Sequence, residues 1–361
     1  MRTYLDHNAT SPLRPQAKAA MLAAMELGGN ASSVHGEGRA ARQMLENARE
    51  SVANAIGAIA PMVVFTSGGS EANNQALKGV AVERLIVSAI EHPSILEAAR
   101  ATGKPVHLVP VTAHGVIDLG ALEALLPGPK ALVSVMLANN ESGVIQPVRD
   151  VVAMARAHGA LVHTDAVQAL GKIPVNFGLL GVDLMTLSAH KLGGPVGAGA
   201  LVIRDGLAIE PLIHGGGQEL RRRAGTENLL SAAGFAAVAA ENMNFIKALR
   251  DELEATLEHA VIFDAGAHRL PNTSCFAVPG LDAETLLMAL DLDGIAVSSG
   301  SACSSGKVAR SHVLAAMGVA PEIAKAAIRV SLGWNTTSAH IHHFTAAWRK
   351  IIARHKARIA A

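Results

Sequence analysis

Short β-branched runs alternate with Ala- and Leu-rich stretches of helical period through the first two thirds of the chain. That alternation constrains the fold more than any other feature. Residues 63–66, 85–89, 106–111, 132–137, 161–164, 184–187 and 200–203 read as strands. Residues 71–80, 94–100, 119–126 and 148–158 carry the helical pattern between them. Strand and helix in turn at this spacing predict an α/β domain on a mostly parallel, helix-covered sheet of seven strands. Ligands of such sheets sit beyond the carboxyl ends of the strands.

From residue 229 to about 258 the chain is almost unbroken helix former, without proline and with no glycine after Gly234. This predicts one long helix leaving the large domain. Short strands at 272–278, 296–297 and 328–331 then lie among helices at 283–290 and 338–358, a smaller α+β domain. The expected division is a large domain over 14–258 and a small one from 1–13 and 259–361. The first dozen residues belong either to the small domain or to the cleft between the two. A chain of 361 residues that is 50% hydrophobic can fill two such cores.

Composition removes several functions. The formal charge is +1, charged residues make up 17%, and no basic run exceeds Arg221-Arg222-Arg223, so no nucleic-acid footprint exists. Aromatic residues at 3% supply no stacking platform for single strands. No apolar stretch is long enough for a bilayer, and the polar first ten residues show no signal-peptide core. Two cysteines, Cys275 and Cys303, make no disulfide framework, and the expected location is cytoplasmic.

Several strand ends carry chemistry. The run His163-Thr164-Asp165-Ala166-Val167-Gln168 closes one strand, and Ser188-Ala189-His190-Lys191 closes the next. An acid at one strand end and a lysine beyond the neighbouring one suit pyridoxal phosphate. The amine holds the aldehyde as a Schiff base, and the carboxylate keeps the pyridine nitrogen protonated. Phe65-Thr66-Ser67-Gly68-Gly69-Ser70 is a strand, a small-residue turn and a helix start, where backbone N–H groups and the Ser70 hydroxyl can meet a phosphate. A plain helix cap is the competing account there. His92 follows another strand and could lie on a ring and carry protons. Asn140 ends a further strand, in a turn that Asn and Gly also favour. Arg329 interrupts an apolar strand and wants a carboxylate, either a substrate's or an ion-pair partner's. Cys303 sits among small polar residues, as a reactive thiol would, whereas Cys275 lies in an apolar run. The His340-Ile341-His342-His343 cluster is expected on a solvated helix face, with no intrinsic metal site.

Taken together, these motifs resemble the pyridoxal-phosphate-dependent cysteine desulfurases, the NifS/IscS-like group of the class V aminotransferase superfamily. The resemblance runs nearly end to end. It spans Tyr4-Leu5-Asp6-His7-Asn8-Ala9-Thr10, Ser67-Gly68-Gly69-Ser70-Glu71-Ala72-Asn73, Glu91-His92 and Asn139-Asn140-Glu141. It continues through the Asp165 and Lys191 runs, Gly215-Gly216-Gly217-Gln218-Glu219, Arg223-Ala224-Gly225-Thr226-Glu227-Asn228 and Ser299-Gly300-Ser301-Ala302-Cys303. It implies a fold-type I homodimer with Lys191 carrying the cofactor, Asp165 on the pyridine nitrogen, Gln168 on the ring hydroxyl side and His92 stacked on the ring. Asn140 would contact the cofactor. Gly69, Ser70, Ser188 and His190 would hold the phosphate, with Thr226 supplied by the partner subunit. Arg329, and less directly Asn8, would bind the substrate carboxylate.

The implied reaction takes sulfur from L-cysteine, leaves L-alanine and puts a persulfide on Cys303 for an acceptor such as an iron–sulfur scaffold. Lys191 would take the α-proton and His92 would shuttle protons. Cys303 could also briefly ligate a cluster during handover. The chain ends soon after its last helix, which puts the usual scaffold docking in question. The long form of the Cys303 loop favours direct delivery. Competing readings are a selenocysteine lyase, a class V aminotransferase that needs no thiol, and a catalytically silent platform in a sulfur-transfer assembly.

Overall fold

The computed structural model describes residues 2–299 and 311–360, with side chains as far as 357. The chain opens with strand β1 (Thr3–Tyr4) and helices α1 (Pro15–Met25) and α2 (Gly36–Ala55). Next come β2 (Val63–Thr66), α3 (Gly69–Gly79), β3 (Arg84–Ser88), α4 (Pro93–Arg100) and β4 (Val106–Val109). The series goes on through α5 (Leu119–Leu125), β5 (Ala131–Ser134), α6 (Val148–Ala157), β6 (Leu161–Asp165), α7 (Phe177–Leu180), β7 (Leu184–Ser188) and β8 (Gly199–Ile203).

Seven of these strands form one sheet in the order β2-β8-β7-β6-β5-β3-β4. All its pairings are parallel except those of β8, which runs against both β2 and β7. The expected mostly parallel seven-stranded sheet is therefore present. Period-two alternation decides which residue faces which helix layer. Leu85, Val87, Leu132, Leu161 and Leu184 pack under α3 and α4 with Ala76, Leu77 and Ile95. Ile86, Val133, Val162 and Met185 face the other layer, with Val52 of α2 and Val151 of α6. The same alternation puts Asp165 on the face that carries α3.

Helices α8 (Leu229–Ala239) and α9 (Ile246–Glu254) replace the single long helix expected there. The break falls at Glu241-Asn242-Met243-Asn244. Asparagine is a weak helix former, Glu241 turns to pair with Arg14 at 2.9 Å, and Met243 is buried in a second core. That core also takes Ile246, Leu253 and Leu257, together with Leu5, Phe276, Phe344 and Trp348.

The rest of the chain comprises β9 (Val261–Ile262), β10 (Thr273–Ala277), α10 (Ala283–Leu292), β11 (Ile295–Ala296) and β12 (Ser298–Ser299). It ends with α11 (His312–Ala316), α12 (Pro321–Ala324), β13 (Ala327–Ser331) and α13 (Ser338–Ala360). A second, antiparallel sheet runs β12-β13-β10-β9. The N-terminal residues join this half: β1 pairs with β11, and Asp6 bridges to Ser331.

Candidate active site

A cavity of about 350 Å³ opens at the carboxyl ends of β6 and β7. Asn8, Gly69, Ser70, His92, Asn140, Asp165, Gln168, Ser188, His190, Lys191 and Arg329 all line it. One expected site residue lies elsewhere among the described residues. Thr226 lines a separate concavity of about 150 Å³ beside Phe65, Gly199 and Arg223. Cys303 lies outside the described residues.

Local sequence explains the placements. β6 ends in Asp165, whose Oδ1 accepts from Val167 N at 2.9 Å and whose Oδ2 accepts from Asn73 Nδ2 at 2.8 Å. β7 ends at Ser188, and a 3-10 turn then carries Lys191 into the cavity. At the other wall, Gly68 takes φ +155 before α3 begins, a backbone conformation suited to glycine. A Cβ on Gly199 would come within 2.5 Å of the Gly68 carbonyl carbon, so this turn packs directly on the β8 backbone. Gly69 and Ser70 therefore present the first turn of an 11-residue helix, with its unpaired N–H groups, to the cavity.

The N-terminal segment straps the lysine turn. Lys191 Nζ donates to the carbonyls of Asn8 and Ala9, each at 2.7 Å. Ser11 N donates to the His190 carbonyl, and Arg14 Nε to that of Leu192. Asn8 itself is engaged on both amide atoms: Nδ2 donates to Thr273 Oγ1 and the Asn140 carbonyl, while Oδ1 accepts from Lys172 and Asn272. Arg329 reaches the cavity already paired, with Nη2 on Asp6 Oδ1 at 2.7 Å and Nη1 on the Asn140 carbonyl at 2.9 Å. Its Nε is buried without a hydrogen-bond acceptor among the described residues. The ion pair that competed with a substrate role is thus formed.

Burial and local charge tune the ionisable groups. Burial, then Lys191 and Lys172, push His190 down to about 4, so it faces the cavity neutral. His92 is lowered as well, by burial and the Lys191 and His312 charges, against an opposing pull from Asp165. Lys172, fully buried, is held well below the usual lysine range by desolvation, Lys191 and Arg329. Burial, with Asp165 nearby, lifts Glu91 well above the usual carboxylate range against the Met136 N–H that it accepts. The Cys275 thiol is buried and pushed up, so it is unreactive.

This chain matches the family described as Aminotransferase class-V over residues 3–344. It is 40% identical to the cysteine desulfurase IscS of Dictyoglomus turgidum, over 97% of this chain and 94% of that one. The chain belongs to the class-V aminotransferase family. Among solved structures, a NifS-like protein from Rickettsia africae superposes with TM-score 0.90 at 37% identity, covering 98% of this chain and all of that one. SspA in complex with cysteine superposes with TM-score 0.84 at 30% identity, covering 91% and 98%.

Class-V aminotransferases and their cysteine desulfurase members depend on pyridoxal phosphate. The cavity fits that group. Its volume lies within the range of small-molecule sites, and its lining carries groups of the kinds the cofactor needs. The start of α3, with Ser188 beside Gly69, suits a phosphate, the Asp165 carboxylate suits a ring nitrogen and the Lys191 amine suits an aldehyde. Family-wide motifs did not assign a role to Asn73 or Lys172. Asn73 lies one helical turn beyond Gly69, a spacing that could have found it. Lys172 Nζ donates to Gln168 Oε1 at 2.5 Å, four residues back, inside an otherwise unremarkable run. No group of three or more His, Cys, Asp or Glu side chains suited to a metal occurs among the described residues, and none of their helices is long and apolar enough to cross a membrane.

Proposed function

We propose that this protein is a cysteine desulfurase, converting L-cysteine to L-alanine with the sulfur carried as a persulfide on Cys303. One observation carries the reading. Lys191 and Asp165 share a cavity with the start of α3, in a chain 40% identical to a cysteine desulfurase. Pyridoxal phosphate, when bound, supplies the electron sink that loosens the substrate's carbon–sulfur bond. Gly69, Ser70, Ser188 and His190 would hold its phosphate, Asp165 its ring nitrogen, Gln168 and Asn140 its ring substituents, and His92 would lie along the ring.

The chain's own residues then divide the work. Lys191 would hold the cofactor covalently and, once released, take the substrate α-proton on Nζ. Asn8 and Ala9 keep that nitrogen in place through their carbonyls. Arg329 would meet the substrate carboxylate through its Nε, which has no acceptor among the described residues, with Asp6 sharing the charge and Asn8 bracing the wall. The Cys303 thiolate would attack the substrate sulfur, forming a sulfur–sulfur bond as the carbon–sulfur bond breaks, and the β-carbon would keep the bonding electron pair and take up a proton on the way to alanine.

The finer proposals concern assembly. Thr226 lies away from the cavity of its own chain, which supports a homodimer in which it completes the neighbour's phosphate site. Exposed Leu22, Met25, Val34 and Leu220 offer apolar surface for such an interface. A cytoplasmic location and a protein sulfur acceptor, such as an iron–sulfur scaffold, complete the reading.

The decisive experiment incubates the purified protein with pyridoxal phosphate, L-cysteine and a thiol reductant, without keto acid. Equal alanine and sulfide support the proposal. Alanine formed only when a keto acid is added would make the protein an aminotransferase, and no turnover at all would leave a silent platform.

A further inference from the structure

A chain of hydrogen bonds behind the cavity has its direction forced from one end. Both Asp165 oxygens accept, so the Asn73 amide must present Nδ2 to Oδ2 at 2.8 Å. The second Nδ2 proton goes to Ser94 Oγ at 2.9 Å. That hydroxyl therefore accepts from Asn73 and has its own proton left for His92 Nδ1, 2.8 Å away. The Ser94 backbone N–H points at the same ring nitrogen from 3.1 Å, and an N–H can only donate. Both donors end on Nδ1, which must carry a lone pair. A neutral imidazole then has its proton on Nε2.

We propose that Ser94, oriented by Asn73, is a positioning residue that fixes His92 as the neutral ring protonated at Nε2. The histidine then meets the cavity as a hydrogen-bond donor and not as a base. The backbone helps. His92 caps α4, with Pro93 at the first helical position setting the turn. The charged and titratable groups among the described residues that act on the ring divide unequally. Asp165 favours a second proton, whereas Lys191, His312 and burial oppose it. That second proton would have to land on Nδ1 and break two hydrogen bonds. The consequence for chemistry rests on the desulfurase reading: base work falls to Lys191, and the proton-shuttle role expected of His92 narrows to an N–H that pins an acceptor of the cofactor or substrate. The tautomer itself needs no cofactor.

The test is long-range proton–nitrogen correlation of the full-length protein labelled with 15N-histidine, with and without pyridoxal phosphate, over a pH series. His92→Gln identifies the His92 signals by their loss. The expected result is one ring protonated at Nε2, bare at Nδ1, and still neutral at the pH where a free histidine is half protonated, about 6.5. Ser94→Ala should move the ring's titration upward by about half a unit or more, the sign expected when a hydrogen bond to the neutral form is lost. Ser94→Thr should restore it. A His92 ring protonated at Nδ1, a wild-type titration near 6.5, or a Ser94→Ala titration unchanged would each overturn the proposal. A protein that keeps this tautomer yet neither binds pyridoxal phosphate nor turns over cysteine would refute the desulfurase reading and leave the tautomer standing.

Discussion

Lys191→Ala should remove the cofactor's absorption band, and alanine formation from cysteine should fall by about 10³-fold or more, the range seen when a positioned acid–base group is lost. Cys303→Ser should keep that band and stop persulfide formation, measured by labelling of the protein thiol. A second residue-scale effect comes from Glu141, whose carboxyl burial raises to about 7 from the usual 4.5, despite opposing help from Ser311 and Arg329. The unfolded chain ionises first, so unfolding releases a proton between those values and stability falls as pH rises through them. Glu141→Gln escapes this loss. Across that window its stability relative to wild type should rise by about 3 kcal/mol, read from urea unfolding at pH steps.

At the scale of elements, the β-branched runs of the main sheet announced their strands because, the edge strand β4 apart, both faces are buried and little else can occupy such positions. Helices α1 and α2 went unread. In α1 alanine lies on every side, so no apolar stripe marks a buried face. The α8–α9 break was hidden for the opposite reason: residues 229–258 are mostly good helix formers, and Asn242 and Asn244 weaken the run only where Glu241 pairs with Arg14 and Met243 enters the second core. We propose the seam between the two halves at 240–245, where the chain passes from one core to the other. That Asp165, Lys191 and the Gly69–Ser70 turn meet at one cavity was legible because each lies at the boundary of an element. Lys172 and the Asp6–Arg329 pair were not, since the Lys172 contact with Asn8 and that ion pair join residues far apart in the chain. Another long-range device is the turn Glu219–Arg221, three consecutive residues at positive φ. Glu219 anchors it with both carboxylate oxygens on Arg49 and one also on Phe65 N. Removing one member of such a buried pair strands the other charge, so Glu219→Ala should cost about 3 kcal/mol or more by denaturant titration.

For the whole molecule, a homodimer built to share sites predicts that Thr226→Ala weakens cofactor retention about tenfold, the loss of one hydrogen bond to a charged group. Equilibrium dialysis measures this, and light scattering on the eluting protein reports the dimer itself. Unchanged retention would place the phosphate wholly within one chain. The strap over Lys191 has a further consequence for synthesis. Residues 3–8 are held by Ile295, Ala296 and Ser331, which are synthesised late, in the final third of the chain. The large sheet can close early during translation, but the lysine turn gains its N-terminal cover only when the final third has emerged. A nascent chain stalled before those residues therefore carries the large sheet without the strap's anchor, and covering of the lysine waits on the small half.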